Sequence, residues 1–182
     1  ADVEPFKAGQ FTKLSMMMGD KRIARAYSYV NPPSSSDLEF YLINVADGLL
    51  SQQLAKLLPG DTVMIERRAT GFFTLDEIPR SKQLWMLSTG TAIGPFLSII
   101  EQADVWQQFD EVYLVHGVRF NADLSYQKKI QQLQQTHPKL SYIPVVSREQ
   151  PEHGGEPGRI TDCIKQARLF KYAEEATTAS NA

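Results

Sequence analysis

Two short runs of residues carry groups suited to binding nucleotides. Arg25, Tyr27 and Ser28 lie close together on an expected strand and supply a guanidinium, an aromatic ring and a hydroxyl. Residues 90–95 form a glycine-containing turn between an expected buried strand and an expected helix. A guanidinium binds phosphates, a tyrosine packs on planar rings, and a helix N-terminus attracts anions. Together the two runs predict one chain that holds two nucleotides face to face.

The first run has the chemistry of a flavin site. On a regular strand Arg25 and Tyr27 share one face, and Ser28 faces the other way unless the strand bends or bulges. The arginine suits a pyrophosphate, the tyrosine suits an isoalloxazine ring, and the serine hydroxyl or N–H suits flavin N5. A surface strand with a half-buried tyrosine is the alternative interpretation of these residues.

The second run has the chemistry of a phosphate site. Its glycines allow a phosphate to approach the backbone, although the spacing departs from G-x-G-x-x-G and also fits a simple tight turn. Arg119 and Arg148 each come just after an expected strand, and Arg159 opens the last expected helix. Guanidinium groups there suit the 2′-phosphate that distinguishes NADP from NAD. A solvated surface position is the alternative interpretation of each arginine.

The composition is that of an ordinary globular protein. The chain has 182 residues, 42% hydrophobic and 22% charged, which allows one large domain or two small ones. A net charge of -2 does not favour nucleic acid or anionic membranes, and no stretch reaches the ~18 apolar residues of a membrane span. The single cysteine, Cys163, fits a reducing cytoplasm, and the histidines show no metal-site spacing.

The first half of the sequence is typical of a β-rich domain. Four strands are expected, at residues 11–14, 23–30, 38–45 and 62–65. One short helix is expected at residues 51–58, with Ser51 as its N-cap and Pro59 at its end.

The second half alternates strands and helices, which predicts a parallel sheet with right-handed crossovers. Three strands are expected, at residues 84–87, 112–115 and 142–146. Pro144 requires an edge position or a bulge in the third of them. Asp123 is expected to cap one helix, and a last helix is expected over residues 160–170. The expected domains are residues 1–78 and 79–182.

The order of these motifs resembles that of bacterial ferredoxin (flavodoxin)–NADP reductases. The resemblance extends from about residue 6 to residue 164 and is carried by Arg-x-Tyr-Ser at 25–28, Phe-Tyr-Leu at 40–42, Gly-Leu-Leu-Ser at 48–51 and the turn at 90–95. It implies an antiparallel Greek-key FAD barrel followed by a doubly wound parallel-sheet NADP domain.

The resemblance also implies a role for each matching residue. It implies FAD contacts at Arg25, Ala26, Tyr27, Ser28, Tyr41, Leu49, Leu50 and Ser51. It implies a contact at Thr91 with both the flavin and the nicotinamide, and NADP contacts at Val118, Arg119, Ser147, Arg148 and Arg159. Gly90 and Gly94 are the expected cofactor-binding glycines of the phosphate turn. Within these sets, Arg148 and Arg159 would hold the 2′-phosphate. Tyr27, Ser28 and Thr91 would act at the point of electron transfer, and no metal is implied.

Two parts of the family pattern are missing from the sequence. The family has roughly one and a half more strands before residue 5, and after residue 182 it continues through another parallel strand, a helix and an aromatic terminus. The chain is therefore expected to be a fragment that is poorly stable and catalytically compromised by itself.

The implied activity is electron transfer between NADPH and ferredoxin or flavodoxin through FAD. The expected enzyme is cytoplasmic and monomeric, and it binds neither nucleic acid nor membranes. The basic pairs at residues 21–22 and 67–68 are candidates for docking an acidic redox partner. Two alternatives remain open: the reductase or electron-transfer subunit of an oxygenase system, and a nucleotide-binding fragment without catalytic activity.

Overall fold

The computed structural model describes residues 3–152 and 154–179, which divide into two compact units. The first unit comprises the described part of residues 1–79 together with residues 94–105, and the second comprises residues 80–93 and the described residues from 106 onward. The prediction of an antiparallel first half followed by a parallel α/β half is confirmed. Within the described ranges, no helix is long and apolar enough to cross a membrane.

An antiparallel sheet organises the first unit. Its strands are β1 (Phe11–Met18), β2 (Lys21–Ser28) and β3 (Met64–Ile65), and β1 lies between the other two. Strands β1 and β2 form a hairpin whose register runs unbroken from the pair Phe11 and Ser28 to the pair Met18 and Lys21. Gly19 makes the turn with a φ of 57°, a conformation that glycine adopts without strain. The three corresponding predicted strands are confirmed, with shifted ends.

The predicted strand at residues 38–45 is wrong. The described segment contributes only an isolated antiparallel bridge between Phe40 and Tyr29. Ile43 and Val45, which the apolar pattern assigns to a strand, are 61% and 51% exposed. Strand-prone residues form a strand only where a neighbouring strand and a packed face accept them, and this segment lacks both beyond the bridge.

The first helix, α1 (Leu49–Leu54), begins earlier than predicted and has Gly48 as its N-cap. The prediction that Ser51 is the N-cap is therefore wrong. Ser51 lies within the first turn, where its hydroxyl accepts a hydrogen bond from the N–H of Val45 at 3.2 Å and donates to the carbonyl of Gly48 at 3.3 Å. The hydroxyl therefore bonds to the backbone of the loop that precedes the helix, and not to a free N–H group of the helix.

A parallel sheet organises the second unit. Its strands, in spatial order, are β4 (Gln83–Thr89), β5 (Glu111–Val118), β6 (Leu140–Val146) and β7 (Glu156–Pro157). The first, second and third confirm the predicted strands and are longer than expected. The fourth has only two residues, one of them a proline, which is too short for a sequence pattern to indicate.

The remaining helices are α2 (Ile93–Ile100), α3 (Ala103–Gln108), α4 (Gln127–Thr136), α5 (Ile160–Lys165) and α6 (Phe170–Ala179). Short 3₁₀ turns occupy Leu75–Glu77, Gly90–Ala92 and Asn121–Asp123. The prediction that Asp123 caps α4 is wrong, because its carboxylate accepts a hydrogen bond from the N–H of Phe120 at 3.1 Å and closes a 3₁₀ turn. The single helix predicted at 160–170 is also wrong. It is interrupted at Ala167, whose φ of 56° no right-handed helix accommodates.

The parallel sheet is packed on both faces, and β5 is buried from Val112 to Val118. On one face Tyr113 and Val115 belong to a cluster that continues through Ile143, Val145, Ile160, Cys163 and Leu169. By alternation, His116 lies on the opposite face.

Pro144 lies where the parallel sheet is open on one side. It pairs with His116 of β5, but the pairing of β6 with β7 begins only at Val145. The carbonyl of Pro144 faces Gly155, where an added Cβ would lie 2.7 Å from it. The missing N–H of the proline therefore falls on a local edge, as the sequence predicted.

Candidate functional site

Several of the residues predicted to bind NADP lie at the carboxyl ends of the parallel strands. Gly90 follows β4, Arg119 follows β5, Arg148 lies two positions after β6, and Arg159 lies two positions after β7. Because the strands are parallel, these ends share one edge of the sheet. In open α/β sheets this edge is where ligands bind. The predicted placement of the arginines is confirmed.

The turn after β4 has the geometry of an anion site. Gly90 has a φ of 52°, and an added Cβ would meet no atom within 4 Å, so the space beside the backbone is open. The 3₁₀ turn that begins there leads directly into α2. The first N–H groups of a helix lack acceptors within it and point out of its N-terminus, where they attract a phosphate.

A buried histidine, His116, contacts the backbone of this turn. The Nε2 atom of His116 lies 3.0 Å from the carbonyl oxygen of Gly90, and its Nδ1 atom lies 3.4 Å from the hydroxyl of Tyr142. His116 is 0% exposed, and burial lowers the pKa of its imidazole, an effect that the bond to Gly90 only partly offsets. Sequence reasoning missed this residue; the available signal was an imidazole within the buried run from Val112 to Val118.

Gly94 has a packing role in the first unit. It is buried, and an added Cβ would lie 3.0 Å from a methyl group of Val30. Ser98, one turn later, donates to the carbonyl of Asn31 at 2.7 Å. The absence of a side chain at Gly94 allows α2 to pack closely there. Its assignment to the cofactor stays a prediction.

Backbone hydrogen bonds extend the pairing of β5 and β6 beyond the strand ends. The N–H and the hydroxyl of Ser147 both donate to the carbonyl of Val118, each at 3.1 Å, and the N–H of Arg148 donates to that of Arg119 at 2.9 Å. Both arginines are exposed. The guanidinium carbon of Arg148 lies 5.9 Å from the ring centroid of Phe120, within cation–π range.

Arg159 is the N-cap residue of α5 and is exposed. It is preceded by Gly158, whose φ is 98° and whose N–H donates to the carbonyl of Val146 at 2.8 Å. This bond fixes the start of α5 beside the end of β6, the strand that leads to Arg148. The edge therefore presents two exposed guanidinium groups on adjoining segments, and guanidinium groups bind phosphates well.

Asn121 ties together the two loops that carry Arg119 and Arg148. Its backbone N–H donates to the carboxylate of Glu149, and its side-chain amide donates to the carbonyl of Gln150 at 2.8 Å. Its side-chain oxygen also accepts a 3.0 Å hydrogen bond from the backbone N–H of residue 152. Sequence reasoning missed this residue, because its partners lie about thirty positions away.

In the first unit, β2 presents Arg25 and Tyr27 on the same face. The unbroken register excludes a bulge between β1 and β2, so Ser28 faces the other way. Burial raises the pKa of the Tyr27 hydroxyl, and the positive charge of Arg25 partly opposes that rise, which places the charge near the ring. Arg25 and Ala26 are exposed, and Arg25 donates one hydrogen bond to the carbonyl of Ala24 at 2.7 Å. A guanidinium has four further N–H groups for a ligand.

The other predicted flavin residues belong to the segment that follows Phe40. The antiparallel bridge between Phe40 and Tyr29 makes Tyr41 level with Ser28. In α1 the first intrahelical bond is donated by Gln52, so the three preceding N–H groups have no acceptor in the helix. These groups belong to Leu49, Leu50 and Ser51, of which Leu49 is 61% exposed. An anion is favoured at this end of the helix.

Within the described residues, no group of three or more His, Cys, Asp or Glu side chains could hold a metal ion.

Comparisons with protein families cover nearly the whole chain. A family model described as an oxidoreductase FAD-binding domain matches residues 4–73. A second model, described as an oxidoreductase NAD-binding domain, matches residues 86–179.

The chain is similar to curated reductases over most of its length. It is 50% identical to the flavodoxin/ferredoxin–NADP reductase of Escherichia coli over 170 residues, which are 93% of this chain and 68% of that protein. It is 36% identical to the ferredoxin–NADP reductase of Pseudomonas aeruginosa over 174 residues, covering 91% of this chain and 66% of that protein.

Solved structures show the same similarity. The ferredoxin NADP+ reductase of Neisseria gonorrhoeae, solved with bound FAD and NADP, has a TM-score of 0.87 and 36% identity, covering 93% of this chain and 68% of that one. The Amycolatopsis cytochrome P450 reductase GcoB has a TM-score of 0.76 and 28% identity, covering 92% of this chain and 50% of that one.

Proposed function

The chain belongs to the flavodoxin/ferredoxin–NADP reductase family, and on that premise we propose that it transfers electrons between NADPH and ferredoxin or flavodoxin through FAD. The observation that carries this proposal is the carboxyl edge of the parallel sheet. There an open glycine turn and three exposed arginines follow adjacent strands. An anion turn together with guanidinium groups suits a dinucleotide that carries an extra phosphate.

The two cofactors are assigned to different parts of the chain. We assign FAD to residues 1–78 and NADP to residues 79–182, in agreement with the ranges that the two family models match. The described residues fit both groups. One part offers a half-buried tyrosine beside a guanidinium, and the other offers open space at a glycine turn.

FAD is held by β2 and by the segment that leads into α1. Arg25 and the first-turn N–H groups of α1 neutralise the pyrophosphate, and Ala26 adds its backbone beside it. Tyr27 and Tyr41 pack against the ring system. Of the first-turn residues, Leu49 is exposed and Leu50 is 2% exposed. Because both side chains are apolar, these residues contribute their backbone N–H groups to the pyrophosphate.

NADP is held at the carboxyl edge of the parallel sheet. The N–H groups after Gly90 take the diphosphate, and Arg148 and Arg159 take the 2′-phosphate. Arg119 adds a third positive charge at the same edge. Val118 and Ser147, which bond to each other, shape the strand ends behind it.

Bound FAD supplies the change from two-electron to one-electron transfer that this reaction needs. The protein orients the cofactors and tunes the reactivity of the flavin, and the reaction requires no nucleophilic side chain. Tyr27 fixes the plane of the ring. Ser28 is the last residue of β2, and its hydroxyl or its backbone N–H meets the reacting edge from the end of the strand. Thr91 takes its place beside the nicotinamide.

The redox partner is an acidic ferredoxin or flavodoxin, which meets the basic pairs at residues 21–22 and 67–68. All four side chains belong to exposed residues of the first unit. Contacts of this kind are small and transient and depend on charge. We place the reaction in the cytoplasm with a monomeric enzyme, in keeping with the single, buried cysteine.

A spectroscopic and kinetic experiment tests the proposal. The protein purified from the complete coding sequence should show a stoichiometric flavin absorption band, and it should reduce ferredoxin or flavodoxin with NADPH. NADPH oxidation with an artificial acceptor but with neither protein partner would favour the oxygenase-reductase alternative, which the similarity to the P450 reductase supports. Nucleotide binding without reduction of any acceptor would contradict the proposal and favour a non-catalytic binding module.

A further inference from the structure

The face of the parallel sheet beneath the phosphate turn carries His116, which is fully buried, beside the partly buried Tyr142. Strand pairing sets Ser88 level with His116 and Leu114 level with Tyr142, so the imidazole and the phenol are diagonal neighbours on that face. The hydroxyl of Ser88 donates to the carbonyl of Val115 at 3.0 Å. Ser88 therefore does not compete for the imidazole of His116, which bonds to the carbonyl of Gly90 in the turn.

The proton on the imidazole is placed by its two partners. The carbonyl of Gly90 can only accept a hydrogen bond, so Nε2 of His116 carries the proton. Nδ1 then accepts from the hydroxyl of Tyr142. Burial holds His116 neutral by lowering its pKa, which keeps one donor and one acceptor on the ring.

The hydrogen bond to Gly90 determines where the next N–H group points. The peptide bond between Gly90 and Thr91 is trans, so its C=O and N–H groups point in opposite directions. The Gly90 carbonyl also accepts the N–H of Ile93 in the 3₁₀ turn, which leaves its second lone pair for His116. With the carbonyl directed toward the sheet, the Thr91 N–H points out of the turn.

We propose that His116 is a positioning residue of the NADP site: it holds the Gly90 carbonyl so that the Thr91 N–H faces the dinucleotide diphosphate. This inference rests on the proposed function, because it assumes that NADP binds at this turn. His116 itself touches no nucleotide. Its contribution is to fix one peptide plane before the ligand arrives, which reduces the ordering cost of binding.

Calorimetric titration of four proteins tests this role: the unsubstituted chain, His116→Leu, His116→Gln and His116→Asn. A glutamine amide reaches the place of Nε2, whereas an asparagine amide reaches only that of Nδ1. Each protein is titrated with NADP+ and with adenosine 2′-phosphate. The smaller ligand carries the 2′-phosphate but has no 5′-phosphate and therefore no part of the diphosphate bridge.

His116→Leu and His116→Asn should weaken NADP+ binding about tenfold, the usual loss for one hydrogen bond, and His116→Gln should stay within about threefold of the unsubstituted chain. Binding of adenosine 2′-phosphate should be unchanged in all variants that fold, as judged by thermal denaturation. If His116→Leu does not fold, the comparison of glutamine with asparagine decides the matter.

Equal weakening of both ligands, or unchanged NADP+ binding in His116→Asn, would overturn the positioning role. So would a glutamine variant that binds NADP+ no better than the asparagine variant. Failure of the unsubstituted chain to bind NADP+ at all would instead contradict the proposed function.

Discussion

The backbone N–H of Arg148 donates a 2.9 Å hydrogen bond to the carbonyl of Arg119. This bond continues the pairing of β5 and β6 past the last residue of each strand, so the two arginines are held at neighbouring positions on one edge. Their side chains leave that backbone in exposed positions. The bond fixes the backbone positions from which both side chains start, which favours the phosphate site that we propose at this edge.

We expect Arg148→Ala to weaken NADPH binding by about 10- to 100-fold, the range of one lost charged hydrogen bond. NADH binding should change by less than about threefold, because NADH has no 2′-phosphate. Steady-state KM values for both coenzymes, together with the Kd of 2′-phospho-AMP, measure the effect. Arg159→Ala should behave in the same way, and the exposed Arg80→Ala is the matched control. Equal losses for NADPH and NADH would remove Arg148 and Arg159 from 2′-phosphate recognition.

The positions of Arg119 and Arg148 could be predicted because each follows a strongly apolar strand. Such strands are recognisable from a short window, and the residue after a parallel strand always reaches the same edge. The ends of α1 could not be predicted, since Ser51 fits the pattern of an N-cap. Its hydroxyl has a different partner, the N–H of Val45, which only the folded loop brings within reach.

His116 and Asn121 could not be predicted for a related reason. Both act on backbone groups: His116 on the carbonyl of Gly90, and Asn121 on that of Gln150. Backbone groups carry no sequence signal, and these contacts depend on strand register and on the order of strands. Such contacts are set by tertiary structure, whereas periodicity and spacing describe only local structure.

Asn121→Ala should weaken discrimination between NADPH and NADH without removing a ligand contact. The substitution deletes two side-chain hydrogen bonds that hold the loop after Arg148, so the guanidinium loses a fixed position. We expect the ratio of the KM values for NADH and NADPH to fall about three- to tenfold, in line with one or two neutral hydrogen bonds. The exposed Gln132→Ala is a control for the loss of a surface amide. An unchanged ratio would show that the loop holds Arg148 without Asn121.

Ser28→Ala should slow reduction of the flavin more than it weakens NADPH binding. Ser28 lies on the opposite face of β2 from Tyr27, so its loss leaves the stacking ring in place. We expect the rate of flavin reduction in stopped flow to fall about three- to tenfold, which corresponds to one neutral hydrogen bond. The Kd for NADPH should stay within about twofold, and the exposed Ser34→Ala should match the unsubstituted protein in both measurements. An unchanged reduction rate would refute the role of the Ser28 hydroxyl.

A buried carboxylate connects β7 to the helices that follow. Glu156 has 5% of its side chain exposed, and it accepts hydrogen bonds from Arg168 at 2.9 Å and from the hydroxyl of Tyr172 at 3.0 Å. The ammonium group of Lys171, itself 52% exposed, forms a further ion pair with it. Burial raises the pKa of Glu156, but these three donors outweigh burial and hold it below its ordinary value of 4.5.

Glu156→Gln should therefore destabilise the protein by about 2 kcal/mol at neutral pH, less than for a fully buried pair because Lys171 and Arg168 keep contact with solvent. Because the pKa of Glu156 is lower in the folded than in the unfolded protein, its contribution is complete above the unfolded value and disappears as the pH falls through the folded value. Thermal midpoints measured from pH 7 down to about 3 should converge for the two proteins at the acid end. The exposed Asp110→Asn controls for loss of a carboxylate. A constant difference across the whole range would show that packing, and not ionisation of Glu156, produces the effect.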